Sequence, residues 1–215
     1  MTHTLLAEPE QNCTLCPRLV TYRAQNQLEN PDWFNGAVAS FGQDNAQLLI
    51  VGLAPGVTGA NRTGRPFTGD YAGDLLYETL AKYGFSKGAY GKHADDGLTL
   101  TNTMITNAVR CVPPQNKPIT EEINTCAPFL VKRINALKEL RVIIALGKIA
   151  HDATIKALGG KLSNFKFTHA GTHQIGAVTI IDSYHCSRYN TNTRRLTPEM
   201  FENVFERAKS YLEEA

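Results

Sequence analysis

Cys13-Thr14-Leu15-Cys16 is a C-x2-C pair, a spacing that lets two thiolates on one turn hold a single metal ion or one edge of a cluster. Cys111 and Cys126 add two more thiols, separated by fourteen residues that include Pro113, Pro114 and Pro118. Four thiolates suit either zinc or an iron-sulfur cluster, and spacing alone does not choose between them. Zinc ribbons usually repeat the C-x2-C pair, which this chain does not. The plainer alternative makes Cys111 and Cys126 buried hydrophobes and the first pair incidental. Cys186 stands in another loop and is left out of the set. A second feature is the glycine-rich run from Gly52-Leu53-Ala54-Pro55-Gly56 to Arg65-Pro66-Phe67-Thr68-Gly69-Asp70. It contains no lysine of the kind a phosphate-loop NTPase uses.

These residues need a frame to hold them. Runs of Val, Ile and Leu closed by turn residues predict strands over Gln47–Leu53, Leu98–Ile105, Arg141–Leu146 and Ala177–Tyr184. Helical periodicity falls between them, over Asp70–Tyr83, Thr120–Leu140 and Lys148–Leu158. Thr197-Pro198-Glu199 opens a last helix that runs to about Glu213, with a cap and a proline in its first turn. The stretch from Asn26 to Asn45, with Trp33 and Phe34, reads as irregular. Strands alternating with helices predict an α/β fold in which a parallel sheet is covered on both faces. Ligands then bind in loops at the carboxyl ends of the strands.

Bulk properties narrow the class. The 215 residues fit one domain able to bury its own core, with 42% hydrophobic and 20% charged residues. No apolar run approaches the roughly 18 residues of a membrane helix, and the first residues lack a signal-peptide pattern, so the expected location is the cytoplasm. Thiols stay reduced there, which turns five cysteines toward metal, catalysis or packing rather than disulfides. A net charge of +2 neither demands nor excludes nucleic acid.

The glycine-rich loop, Thr106-Asn107-Ala108-Val109-Arg110-Cys111, and the segment from His185-Cys186-Ser187 to Thr197 together resemble the iron-sulfur branch of the uracil-DNA glycosylase superfamily. Within it the chain is most similar to family 5, or type b. The resemblance runs from Cys13 to the last helix. It implies a three-layer α/β/α fold around a four-stranded, mainly parallel sheet, and a [4Fe-4S] cluster on Cys13, Cys16, Cys111 and Cys126. It also implies hydrolysis of uracil, and of other deaminated bases such as hypoxanthine and xanthine, from DNA. These enzymes usually carry His-Pro-Ser where this chain has His185-Cys186-Ser187. The change frees one backbone angle and adds an N–H donor, so a less rigid loop is expected.

Such a reaction needs a stacking surface, a partner for the Watson-Crick edge, a donor to the departing base and negative charge or an oriented water near the sugar. Phe67 is the candidate platform, and Asn107, whose amide donates and accepts, the candidate for the base edge. His185 is the candidate donor. Gly52, Leu53 and Ala54 are expected against the base; the last two are apolar where other branches place a water-activating residue. The resemblance therefore directs attention to Asp70 for water or the sugar cation, although an aspartate before a helix is also an ordinary N-cap. Arg62, Arg65, Arg188, Arg194 and Arg195, with Tyr189 and Asn190, are the expected DNA contacts, and Tyr189 or Arg188 the expected filler of the vacated stack. A monomer acting on DNA containing deaminated bases is expected. Two other readings compete: a non-catalytic iron-sulfur electron carrier, and a metal-stapled nucleic-acid-binding module.

Overall fold

Five-residue runs such as Leu48-Leu49-Ile50-Val51 and Val142-Ile143-Ile144-Ala145 carry apolar side chains on both faces, which only a sheet covered on both sides can bury. The computed structural model describes residues 8–214. Residues 1–7, on which part of the reading of the N-terminus rests, lie outside the described residues. In chain order the elements are α1 (Pro17–Glu29), β1 (Phe41–Gly42), β2 (Leu48–Gly52), α2 (Ala60–Thr63), α3 (Tyr71–Lys82), β3 (Ser86–Lys87) and β4 (Thr99–Leu100). They continue with β5 (Thr103–Asn107), α4 (Thr120–Ala136), β6 (Val142–Leu146), α5 (Lys148–Ala157), β7 (Thr172–Ile175), β8 (Val178–Ser183), α6 (Arg188–Asn192) and α7 (Pro198–Glu213).

β5, β2, β6 and β8 lie parallel in that order, the four expected strands, and β1 and β7 extend the sheet antiparallel at its two edges. Side chains alternate strictly. Leu48, Ile50, Ile105, Val142, Ile144 and Ile181 pack with Leu76 and Leu80 of α3 and Phe201 and Phe205 of α7. Leu49, Val51, Met104, Ile143 and Ile180 pack on the other face with Leu130 and Ile134 of α4 and Ala150 and Ala153 of α5. The result is the α/β/α sandwich that the alternation predicts.

Two expectations are corrected. The predicted strand Leu98–Ile105 is two strands in two sheets, because Asn102 turns with a φ of 50° and breaks the run; β4 pairs with β3 instead. The reading of Asn26 to Asn45 as irregular misses the end of α1 and the edge strand β1. Helix α7 begins as read, with Thr197 Oγ1 accepting the Met200 N–H at 3.2 Å. Among the described residues no helix is long and apolar enough to cross a membrane.

Ahead of α1 the chain is held by buried charge. Glu8 accepts from Arg110 and, at 2.6 Å, from Arg133, both nearly fully buried. Burial alone would raise the Glu8 carboxyl, but Arg110, a hydrogen bond from Ser40 and Arg133 together keep it below its ordinary value.

Candidate active site

β2 and β5 run side by side so that Gly52 and Asn107 end in register. A side chain at Gly52 would fall on the Asn107 amide and the Phe67 ring, so glycine is what lets both groups cross the strand end. Beyond it the chain has to switch sides of the sheet, from β5 on one side of β2 to β6 on the other. A crevice opens at such a reversal. Here it is a cavity of about 460 Å³ lined by Leu53, Ala54, Pro55 and Gly56 after β2, and by Phe67, Asp70 and Tyr71 around the start of α3. Asn107, Asn116, His185, Ser187, Arg188 and Tyr189 complete it. That volume is in the range of small-molecule sites.

The walls divide into packed and unpaired groups. Phe67 is buried, and its ring lies at 28° to that of His185 with centroids 5.8 Å apart. Asn107 is 2% exposed, and its Oδ1 has no hydrogen-bond partner, an orphan that a folded protein carries at a cost. Asp70 is both things its position allows. Its Oδ1 caps α3 by accepting the Gly73 N–H at 3.1 Å, while Oδ2 lies against Gly56 and Gly59, where a side chain would collide with it. Burial raises its carboxyl above the ordinary value, against the lowering pull of the helix N–H groups. Burial also drives the His185 imidazole down to about 4, so it is neutral at physiological pH and carries a single N–H. Its loop is braced by Asn190, whose amide donates to the His185 carbonyl at 2.8 Å. Cys186 is fully buried and its thiol points to the Ala72 carbonyl of α3 at 3.4 Å, so the extra freedom expected of this loop is taken up by packing.

Of the arginines, Arg188, Arg194 and Arg195 are exposed around the last loop, Arg188 over the Tyr71 ring and Arg195 over Tyr184. Tyr189 is 72% exposed at the cavity rim, and Arg62 is exposed on α2. Arg65 is corrected: it is 4% exposed and forms a buried two-pronged ion pair with Asp96 at 2.7 Å, which leaves nothing to meet a phosphate. Asn116 was not foreseen. It comes from the proline-rich loop after β5, and no periodicity or spacing points to it.

The four cysteines meet in a second cavity. Cys13, Cys16, Cys111 and Cys126 line it with Leu19, Val20, Val109 and Phe129. The Arg110 N–H donates to Cys126 Sγ at 3.3 Å, and the buried Arg23 donates to the Gln11 and Cys13 carbonyls. Burial, added to by the neighbouring thiols, pushes Cys16 to about 11 and Cys111 to about 12. A third group, His151, Asp182 and His173, is separate from both cavities. His151 faces acceptors with both nitrogens, Asp182 Oδ1 at 2.7 Å and the Phe165 carbonyl at 3.0 Å, which requires a proton on each. Burial opposes that charge and Asp182 outweighs it, so the ring serves as a brace for β8.

An α/β/α fold with a cavity at its topological switch, an unpaired buried acceptor on Asn107 in its wall and the exposed Arg188 at its rim defines an α/β protein that binds a polar ligand at the carboxyl ends of its strands. Comparison with known proteins gives that class a family. A model described as the uracil DNA glycosylase superfamily matches residues 39–209. The chain is 42% identical over 203 residues to the type-5 uracil-DNA glycosylase of Thermus thermophilus, covering 92% of each. It is 39% identical over 201 residues to the type-5 uracil-DNA glycosylase of Pyrobaculum aerophilum, covering 92% of this chain and 88% of that one. To the type-4 uracil-DNA glycosylase of the same organism it is 37% identical over 155 residues, covering 72% and 65%. The chain belongs to the uracil-DNA glycosylase superfamily.

Proposed function

We propose that this chain is a uracil-DNA glycosylase of base-excision repair, one catalytic domain that works as a monomer in the cytoplasm. It hydrolyses the N-glycosidic bond of uracil flipped out of DNA and leaves an abasic site. The observation that carries the reading is the unpaired Asn107 Oδ1 beside the Phe67 ring, in the cavity that also holds His185 and Asp70. An amide there accepts the uracil N3–H while the base stacks on Phe67, against the walls Gly52, Leu53 and Ala54. His185, neutral, donates its N–H to O2 as negative charge builds on the departing base. Asp70, ionised, places negative charge or an oriented water toward the sugar as it gains oxocarbenium character. The apolar side chains of Leu53 and Ala54 offer no hydrogen bonds that would exclude other rings, which favours hypoxanthine and xanthine as further substrates. Arg62, Arg188, Arg194 and Arg195 hold phosphates, and Tyr189 fills the vacated stack.

We infer further that Cys13, Cys16, Cys111 and Cys126 hold a [4Fe-4S] cluster. All four line one cavity together with Arg23 and Arg110, whose buried guanidiniums keep unpaired N–H donors, an environment that suits a negatively charged thiolate-bound group. The N–H donated to Cys126 Sγ suits a cluster thiolate. Hydrolysis moves no electrons, so the group supplies a structural staple between the C-x2-C turn, the Cys111 loop and α4. The electron-carrier and non-catalytic readings leave Asn107, Asp70 and His185 without a purpose.

Duplexes carrying uracil, hypoxanthine, xanthine or a thymine mismatch test the enzyme reading by release of free base. Wild-type protein is expected to free uracil, and Asp70→Ala, Asn107→Ala and His185→Ala proteins to be slow. Release of none of the four bases would end the proposal.

A further inference from the structure

Phe67 holds its place in the cavity wall with a φ of 54°, a left-handed conformation that a bulky residue keeps only where its surroundings over-determine it. Two tyrosine hydroxyls do so. Tyr77 Oη donates to the Pro66 carbonyl at 2.8 Å. Tyr90 Oη donates to the Phe67 carbonyl at 3.2 Å and accepts the Gly69 N–H at 3.0 Å, so one hydroxyl spans the turn. The two tyrosine rings stack with centroids 4.4 Å apart. The guanidinium of Arg65 lies within 6 Å of both rings, held by Asp96, and donates to Thr68 Oγ1 at 2.8 Å. Asp96 also accepts the N–H groups of Gly91 and Leu98, which fixes the segment that brings Tyr90 in. Gly73 completes the fit, since any side chain there would strike the Phe67 carbonyl and the Tyr90 hydroxyl.

We propose that Tyr90 is a positioning residue for base excision: its hydroxyl clamps the left-handed turn from Phe67 to Gly69 and so sets the Phe67 ring against the extruded base. Tyr90 is not among the residues lining the cavity, and its effect passes through Phe67. The inference rests on the reading of Phe67 as the base platform. Tyr90→Phe keeps the ring and its stack on Tyr77 and removes only the hydroxyl.

The test is single-turnover uracil release from a duplex by cluster-loaded wild type, Tyr90→Phe, Phe67→Ala and the double variant, with duplex affinity and melting temperature measured alongside. Tyr90→Phe is expected to slow release about tenfold, as fits two lost hydrogen bonds, with duplex affinity unchanged. Phe67→Ala is expected to slow it more, and Tyr90→Phe to add nothing in that background. Equal slowing by Tyr90→Phe in both backgrounds, or no slowing in the wild type, would overturn the inference while leaving the platform intact. A Phe67→Ala protein as fast as wild type would remove the platform itself and the inference with it. A drop in melting temperature with unchanged single-turnover rate would reduce Tyr90 to a packing role.

Discussion

The two cavities of this chain differ in the kind of group their walls leave unpaired, donors in one and an acceptor in the other. The cysteine cavity is walled by Leu19, Val20, Val109 and Phe129, and its arginines keep buried donors without a partner, Arg23 Nε and Arg110 Nε and Nη2. The base cavity is larger and open, and it keeps a buried acceptor on Asn107 with no partner and a carboxylate on Asp70 that burial has made harder to ionise. Unpaired buried groups cost stability until a ligand meets them: the guanidinium donors suit a resident anionic group that ties three segments together, and the Asn107 acceptor suits a substrate that comes and goes. Substitutions in the first cavity should therefore act on folding, and in the second on chemistry.

The largest effect expected is on the stability side. Cys126→Ser should abolish visible absorbance from the cluster and lower stability by on the order of 4 kcal/mol, read as a fall in the melting temperature. If the melting temperature held, the cavity would not be a staple. Next comes Asp70→Ala, which should slow uracil release by about 10²- to 10³-fold. Asp70→Asn keeps a capping side chain and should be as slow at neutral pH without loss of stability. The sign follows from the raised carboxyl: its ionisation in the folded state costs stability as pH rises through its folded value, and the amide removes that cost. A pH profile sharpens the point. Activity should fall as pH drops through the raised Asp70 value, with no break near 6.5 from His185, already driven down to about 4; a break there would mean that the imidazole works charged.

Asn107→Ala comes third, with uracil release slower by about 10- to 100-fold and a melting temperature equal to wild type or higher, because the orphan acceptor is gone. A large loss of stability would make Asn107 a packing residue. The smallest effect separates the arginines. Arg188→Ala should reduce the slope of log affinity for DNA against log salt by about 1, and Arg65→Ala should leave that slope alone while destabilising the fold by about 3 to 5 kcal/mol through the stranded Asp96.

The parallel sheet was legible because its strands are nearly unbroken Val, Ile and Leu, a pattern that a doubly covered sheet requires. α1 was not, since only Leu19, Arg23 and Asn26 of it are buried and its buried face is mostly polar. β7 and β1 are short, half-exposed edges with no period to read. At the site, the cysteines announced themselves by residue type and spacing, and the loops bearing Phe67, Asn107 and His185 by their place after strands and their resemblance to the family's motifs. The supports did not. Arg65 finds Asp96 at a separation of 31 residues, and Glu8 finds Arg110 and Arg133 more than 100 residues away, pairings that only the folded chain creates. Arg65 was misread for that reason, as an arginine in a polar loop resembles a phosphate ligand until its partner is known.

The central claim is that the unpaired amide of Asn107 waits for a flipped pyrimidine. A crystal structure with uracil bound tests it most directly: the base should stack on Phe67 with its N3–H within hydrogen-bond distance of Asn107 and its O2 toward His185. Uracil bound elsewhere, or in this cavity with its Watson-Crick edge turned away from Asn107, would contradict the account.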